Sequence, residues 1–153
     1  MENNLILRLA NEKDEILLLD WINDFTVRKW SFINPQTIDP NVHKRWFKKK
    51  LKDKNVRIWI MEKQNRPCGQ IRFERSNNQI VLHYLIASEF RGQNLGSKMI
   101  MMAVNKTCDE WFGKKIFAYT VPKNVASIKS LEKAGFTEES YDSKKKCFIY
   151  ECN

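Results

Sequence analysis

Apolar residues recur along this chain with two different rhythms. A short apolar run at residues 5–9 (Leu-Ile-Leu-Arg-Leu) predicts a first strand, and Ile16, Leu17, Leu19 and Trp21 then recur at helical spacing. Asn11 stands where a helix cap belongs, with Glu12 and Asp14 at the positive end of the helix dipole. Residues 25–38 mix aromatic and polar side chains without a period and predict irregular chain. Asp39-Pro40 opens a second helix with a capping carboxylate and a proline at the first helical position. That helix carries His43, Trp46, Phe47 and Leu51, with lysines between them. Alternation then takes over. Residues 55–62, 69–74 and 79–86 predict an antiparallel meander with turns at Asn65-Arg66-Pro67 and Ser76-Asn77-Asn78. After residue 96 the helical period returns through Met99, Met102, Ala103, Val104, Cys108 and Trp111, a stripe that reads as core packing. Residues 115–121 predict a strand, and 124–134 a short helix ended by Gly135. Residues 136–141 and 146–151 predict a hairpin around Asp142-Ser143. The expected fold is a single α/β domain over residues 1–153, with a mixed, mostly antiparallel sheet and flanking helices.

Composition narrows the possible classes. The chain is 42% hydrophobic and holds nine Phe, five Trp and four Tyr in 153 residues, enough for a packed core. No apolar run approaches the roughly 18–20 residues that span a bilayer. Met1-Glu2-Asn3-Asn4 lacks the basic start and apolar stretch of a secretory signal, so a cytoplasmic location without a membrane partner is expected. Cys68, Cys108, Cys147 and Cys152 show no C-x-x-C spacing and no His at ligand spacing, which predicts four reduced thiols and no metal. The 27 basic against 18 acidic residues leave +9, which suits nucleic acid, a membrane surface or a phosphate-bearing small molecule. Residues 43–57 alone hold six Lys, two Arg and one Asp, a local +7 that reads mainly as a solvated face. With no recognised nucleic-acid motif, a nucleic-acid partner is not expected.

The chemistry concentrates at Arg91-Gly92-Gln93-Asn94-Leu95-Gly96, between the strand ending at Ile86 and the following helix. Glycines at 92 and 96 let the backbone approach a ligand and take unusual dihedrals. The free N–H groups at the helix start then face an anion, and Arg91 adds a charge-assisted contact. The spacing matches neither G-x-x-x-x-G-K-[ST] nor G-x-G-x-x-G. A second stretch, Asn124-Val-Ala-Ser127-Ile128-Lys-Ser-Leu131-Glu-Lys133-Ala-Gly135-Phe136, lies downstream. On these two stretches the chain resembles the GNAT superfamily of acetyl-CoA-dependent N-acetyltransferases. Arg91, Asn94 and Gly96 fall on that family's (Arg/Gln)-x-x-Gly-x-(Gly/Ala) pattern, with Gly92 at a common additional glycine. The second stretch falls on N-x-x-S-I-x-x-(Tyr/Leu)-E-K-x-G-F, and the apolar strand through Leu82-His83-Tyr84-Leu85-Ile86 matches the strand that enters the loop.

The resemblance implies the cofactor, acetyl-CoA. Backbone amides from Phe90 to Gly96, with Gln93, Asn94, Leu95 and Ser97 around the helix start, would hold its pyrophosphate. The strand through Tyr84, Leu85 and Ile86 would splay from the 115–121 strand, and its free backbone groups would bind the pantetheine arm and polarise the thioester. Asn124, Ser127 and Ile128 would line the same channel. Many relatives place a general-acid Tyr where this chain has Leu131, which donates no proton. Tyr119 is a candidate acid in its place, and His83 a candidate base titrating near neutral pH. Tyr84 is the remaining catalytic candidate, and strand alternation points it away from His83.

The acceptor pocket is expected from the first half of the chain. Arg28, Trp30, Ser31, His43, Trp46, Gln70 and Arg72 resemble N-acetyltransferases that modify amino groups on nucleotide-linked sugars, the pseudaminic acid pathway type. That resemblance implies a small-molecule amine acceptor whose diphosphate meets Arg28 and Arg72, with Trp30 or Trp46 stacking on its flat groups. Two other readings stand beside it: a protein N-terminal or ribosomal-protein acetyltransferase, and a non-catalytic CoA-binding domain. A monomer or homodimer is expected.

Overall fold

The computed structural model describes residues 4–31, 36–111, 113–141 and 144–152. Strand β1 (Leu5–Leu9) leads through a 3-10 turn into helix α1 (Glu15–Ile22), followed by α2 (Phe25–Lys29) and α3 (Pro40–Lys52). Strands β2 (Val56–Lys63), β3 (Arg66–Ser76) and β4 (Gln79–Ile86) follow as a meander. Helix α4 (Leu95–Glu110), β5 (Lys115–Thr120), α5 (Val125–Lys133), β6 (Thr137–Tyr141) and β7 (Lys146–Glu151) complete the chain. All seven strands form one sheet in the order β1-β2-β3-β4-β5-β7-β6. Every neighbouring pair is antiparallel except β4 and β5. This is the mixed α/β architecture that the residue pattern predicts.

Capping fixes where the helices begin. Asn11 and Asp14 form a capping box before α1, and the Asp39 carboxylate accepts from Asn41 N at 2.8 Å and Val42 N at 3.2 Å. Residues 25–38 depart from expectation. Asp24 Oδ2 accepts from Thr26 N at 3.0 Å and Val27 N at 3.3 Å, and this cap is enough to start α2. Positions 32–35 of that stretch, and the Asp142-Ser143 turn, lie outside the described residues. The first hairpin turn also shifts. Gln64 and Asn65 take positive φ of 51° and 67°, and Arg66 and Pro67 already belong to β3, beside a bulge at Met61/Glu62 that tolerates the proline.

The sheet has two covered faces. On one, Ile71, Phe73, Met61, Ile80, Met99 and Ile100 are fully buried beneath α4. On the other, Phe47 of α3 and Leu18 and Trp21 of α1 pack over Val56, Ile58 and Ile60. Each such large side chain contributes about 1.5–3 kcal/mol by leaving water. Glu74, Arg72 and Gln70 of β3 alternate onto this second face, and His83 and Leu85 of β4 pair with Arg72 and Gln70.

The expectation of four reduced thiols is corrected. Cys108 near the end of α4 and Cys152 just after β7 form a disulfide with Cα atoms 5.0 Å apart, and Cys68 and Cys147 are buried thiols. The two partners are 44 positions apart in sequence. The packing of the α4 end against the strand that leaves β7 brings them together, so no local spacing announces the pair.

Candidate active site

The parallel ladder between β4 and β5 has four rungs, from Gln79↔Lys115 to Leu82↔Ala118, and then ends. His83–Ile86 and Tyr119–Thr120 continue past the last rung as two diverging strands. Alternate residues of an antiparallel strand turn their N–H and C=O away from its partner, here β3, so β4 presents backbone donors and acceptors to the gap. The splay implied by the resemblance is therefore present.

At the gap's end lies the loop into α4. Gly92 sits at φ +80° with no atom within 4 Å of where a Cβ would stand, so the backbone here borders open space. Gly92, Gln93 and Asn94 donate no backbone hydrogen bond to a protein acceptor among the described residues. Beyond them begin the orphan N–H groups of the 16-residue α4. A cradle of unpaired donors at a helix start fits a pyrophosphate. Two sequence readings change. Asn94, not Gly96, takes the left-handed conformation, at φ 60°; asparagine is among the few residues that tolerate it. Gly96 is helical and tight for packing: a Cβ there would meet Ser130 Oγ at 3.0 Å and Tyr84 Cε2 at 3.6 Å.

Several cofactor candidates hold the loop through their side chains. Arg91 Nε donates to Ile86 O at 3.0 Å and its Nη2 pairs with Asp24 at 3.2 Å, tying the loop to the start of α2. Gln93 Oε1 accepts from Lys63 Nζ. Leu95 and Ser97 are buried, with Ser97 Oγ donating to Asn94 O at 3.4 Å, so these two offer a ligand only their backbone. Across the gap, Asn124 caps α5 by accepting from Ser127 N at 3.2 Å, and Ile128 packs on the core.

The three catalytic candidates separate. Tyr84 points to the α4/α5 face, where its hydroxyl donates to Ser127 Oγ at 3.2 Å and burial raises its phenol above the ordinary value. This contact ties β4 to α5. Tyr84→Phe is expected to cost about 1 kcal/mol of stability and to leave kcat near wild type, read by thermal melts and thiol release. His83 lies on the opposite face, exposed to solvent. Crowding by protein, and then the Arg72 cation, push its imidazole down to about 4, with Lys50 adding to the effect and Glu74 opposing it. Strand alternation turns Tyr119 to the same face of the sheet as His83, across the gap where the rungs have ended. Tyr119 is 38% exposed, with Lys145 Nζ 4.7 Å from its ring centre. Leu131 is buried in the core.

The acceptor candidates separate too. Arg28 is interior: Nε donates to Ile22 O at 2.8 Å and Nη1 to Gln36 O at 3.3 Å. His43 is 3% exposed, stacks on Phe47 and bonds through Nε2 to Glu15 O at 3.0 Å; burial lowers its pKa and holds it neutral. Both side chains, expected at the acceptor pocket, make contacts that join α1, α2 and α3. Trp30 caps α2 beneath Lys29, and Ser31 N bonds Arg28 O at 3.2 Å. Trp46, Gln70, Arg72 and His83 do share one face. The Arg72 guanidinium lies 4.9 Å from the Trp46 ring centre and pairs with Glu74, while the buried Gln70 amide has no hydrogen-bond partner among the described residues. Sequence reasoning did not mark Glu74; its place two residues after Arg72 on the same face was the available signal.

Comparison with known proteins agrees with this fold. Residues 4–137 match the model of the acetyltransferase (GNAT) domain. No curated sequence matches. Among solved structures, the Vibrio cholerae spermidine N-acetyltransferase in complex with CoA and spermine superposes with a TM-score of 0.80 at 18% identity, covering 95% of this chain and 92% of that one. Aminoglycoside acetyltransferase AAC(6')-Ib in complex with coenzyme A and kanamycin gives 0.78 at 19% identity, covering 97% and 95%. A ribosomal alpha-N-protein acetyltransferase in complex with coenzyme A gives 0.81 at 14%, covering 96% and 93%. At these identities the structures share the fold. The chain belongs to the GNAT acetyltransferase family. It is accordingly an acetyltransferase that takes its acetyl group from acetyl-CoA. Among the described residues no helix is long and apolar enough to cross a membrane, and no cluster of His, Cys, Asp or Glu could hold a metal.

Proposed function

We propose that this enzyme transfers acetyl to an amine on an anionic small molecule, a nucleotide-linked amino sugar. The observation that carries the reading is the α3-side face of β3 and β4. Arg72 lies half-buried over Trp46 with its Nη groups free of hydrogen bonds among the described residues. Gln70 beside it has an unpartnered amide, and Lys50 adds a second cation. The carboxylate within reach of this cluster, Glu74, is already shared by Arg72 and Lys50. A fork of free N–H donors over an aromatic ring suits a phosphate next to a flat or apolar group. It repels a polycation such as the spermine or kanamycin named for the structural neighbours.

Acetyl-CoA supplies the acetyl group as a thioester. The chain's own part begins with the N–H groups of β4 in the gap, which receive the carbonyl oxygen as it gains charge. His83, neutral at pH 7, accepts the proton that leaves the attacking nitrogen, and the Tyr119 hydroxyl, from β5 across the gap, supplies a proton to the departing sulfur. A free-thiol assay over a panel of UDP-amino sugars, free amino sugars, polyamines and N-terminal peptides tests the acceptor. Turnover is expected with the nucleotide-linked amines; turnover with peptides alone refutes the reading.

A further inference from the structure

Two cations of the acceptor face share one carboxylate. Arg72 Nε donates to Glu74 Oε2 at 2.6 Å, and Lys50 Nζ donates to Oε1 at 2.8 Å. The three side chains are 14%, 21% and 29% exposed, so water screens the cluster only in part. Arg72 is therefore held from two sides: its Nε by Glu74, its flat face by Trp46. Held this way, it keeps both Nη groups for a ligand.

We propose that Glu74 is a positioning residue for acceptor recognition, clamping Arg72 Nε so that the Nη fork is aimed at the acceptor's anion. The proposal rests on the reading of this face as the acceptor site. Lys50 completes the charge balance and does not aim the fork. Without the carboxylate, Arg72 loses its anchor and faces Lys50 as a like charge. The guanidinium then leaves the plane over Trp46, and the fork must be reordered each time an acceptor binds. Glu74 touches no reacting atom, so its loss acts on acceptor affinity and leaves the chemical step intact.

The test uses the amine that wild type turns over fastest in the panel. Glu74→Gln is expected to raise its KM about 10-fold, the size of one charge-assisted hydrogen bond, with kcat and the KM for acetyl-CoA near wild type. Arg72→Gln is expected to raise the same KM by at least as much. In the Arg72→Gln background Glu74→Gln is expected to add nothing, because it acts only through the arginine. Equal effects of Glu74→Gln in both backgrounds overturn the proposal. So does a fall in kcat that tracks a lowered melting temperature. If the preferred amine carries no anion, the nucleotide-sugar reading fails, and the fork no longer has the anion this proposal assigns to it. A non-additive cycle on such an amine would then mark a positional effect of another kind and overturn the anion assignment.

Discussion

Gly92→Asp is expected to weaken acetyl-CoA binding by about 100-fold or more, near 2.7 kcal/mol, in a protein that still folds. Two facts make the substitution clean. Gly92 has positive φ, which aspartate tolerates better than most residues, and no neighbour stands within 4 Å of the new Cβ. Folding therefore loses little. The carboxylate, however, stands in the cradle of unpaired N–H groups before α4, where it repels a pyrophosphate and competes for the same donors. Gly92→Asn is the control. It has the same bulk and the same tolerance of positive φ but no charge, so a much smaller loss is expected. Calorimetric titration of acetyl-CoA into the three proteins reads both effects. Equal affinity in wild type and Gly92→Asp would place the pyrophosphate elsewhere.

His83→Ala is expected to lower kcat at pH 7 by roughly 100-fold, the lower range for loss of a positioned base. The pH dependence carries a further expectation. An imidazole held at about 4 in the folded enzyme is neutral from pH 5 upward, so His83 adds no inflection to the kcat profile between pH 5 and 8. Arg72 is one of the two main reasons for that depression, and the imidazolium is the form a nearby cation disfavours. Arg72→Gln must therefore raise the His83 pKa, moving an acid-limb inflection up from about 4 toward the ordinary 6.5. Titration of the His83 ring by NMR, beside the rate profile, reads the sign directly. An unchanged rate in His83→Ala removes the residue from the proton path.

The fold and the candidate cofactor loop were more legible in the sequence than the candidate acceptor face, for physical reasons. Element order follows from periodicity and punctuation, which are local: Asp39-Pro40 starts α3, and Asn124 and Gly135 bracket α5. The candidate phosphate cradle is equally local, because one loop supplies both the glycine and the helix start. Asn94 at left-handed φ is legible afterwards, since it stands where relatives' pattern has glycine and is the residue that best replaces one there. The acceptor face is assembled from α3, β3 and β4, and composition does not tell a ligand from a strut. Arg28 and His43 have the chemistry of binding residues, yet tertiary packing commits them to the carbonyls of Ile22, Gln36 and Glu15. Glu74 has the chemistry of an ordinary surface carboxylate, yet β3 places it between two cations. The Cys108–Cys152 bond is non-local in the same way.

The short parallel ladder has a consequence for the molecule as a whole. β1–β4 and β5–β7 are two continuous sheet halves, and between them run only the four rungs from Gln79 to Leu82. At one end the seam is stapled: Cys152 N donates to Lys114 O at 2.8 Å just before β5 begins, and its sulfur is bonded to Cys108 of α4. At the other end the halves part at His83 and Tyr119. The molecule is thus a wedge with a fastened apex and an open mouth, and the rungs missing from the mouth are backbone groups without a strand to meet. A thread of ligand laid there would stand in for those rungs, and a donor bound in the gap would complete the sheet.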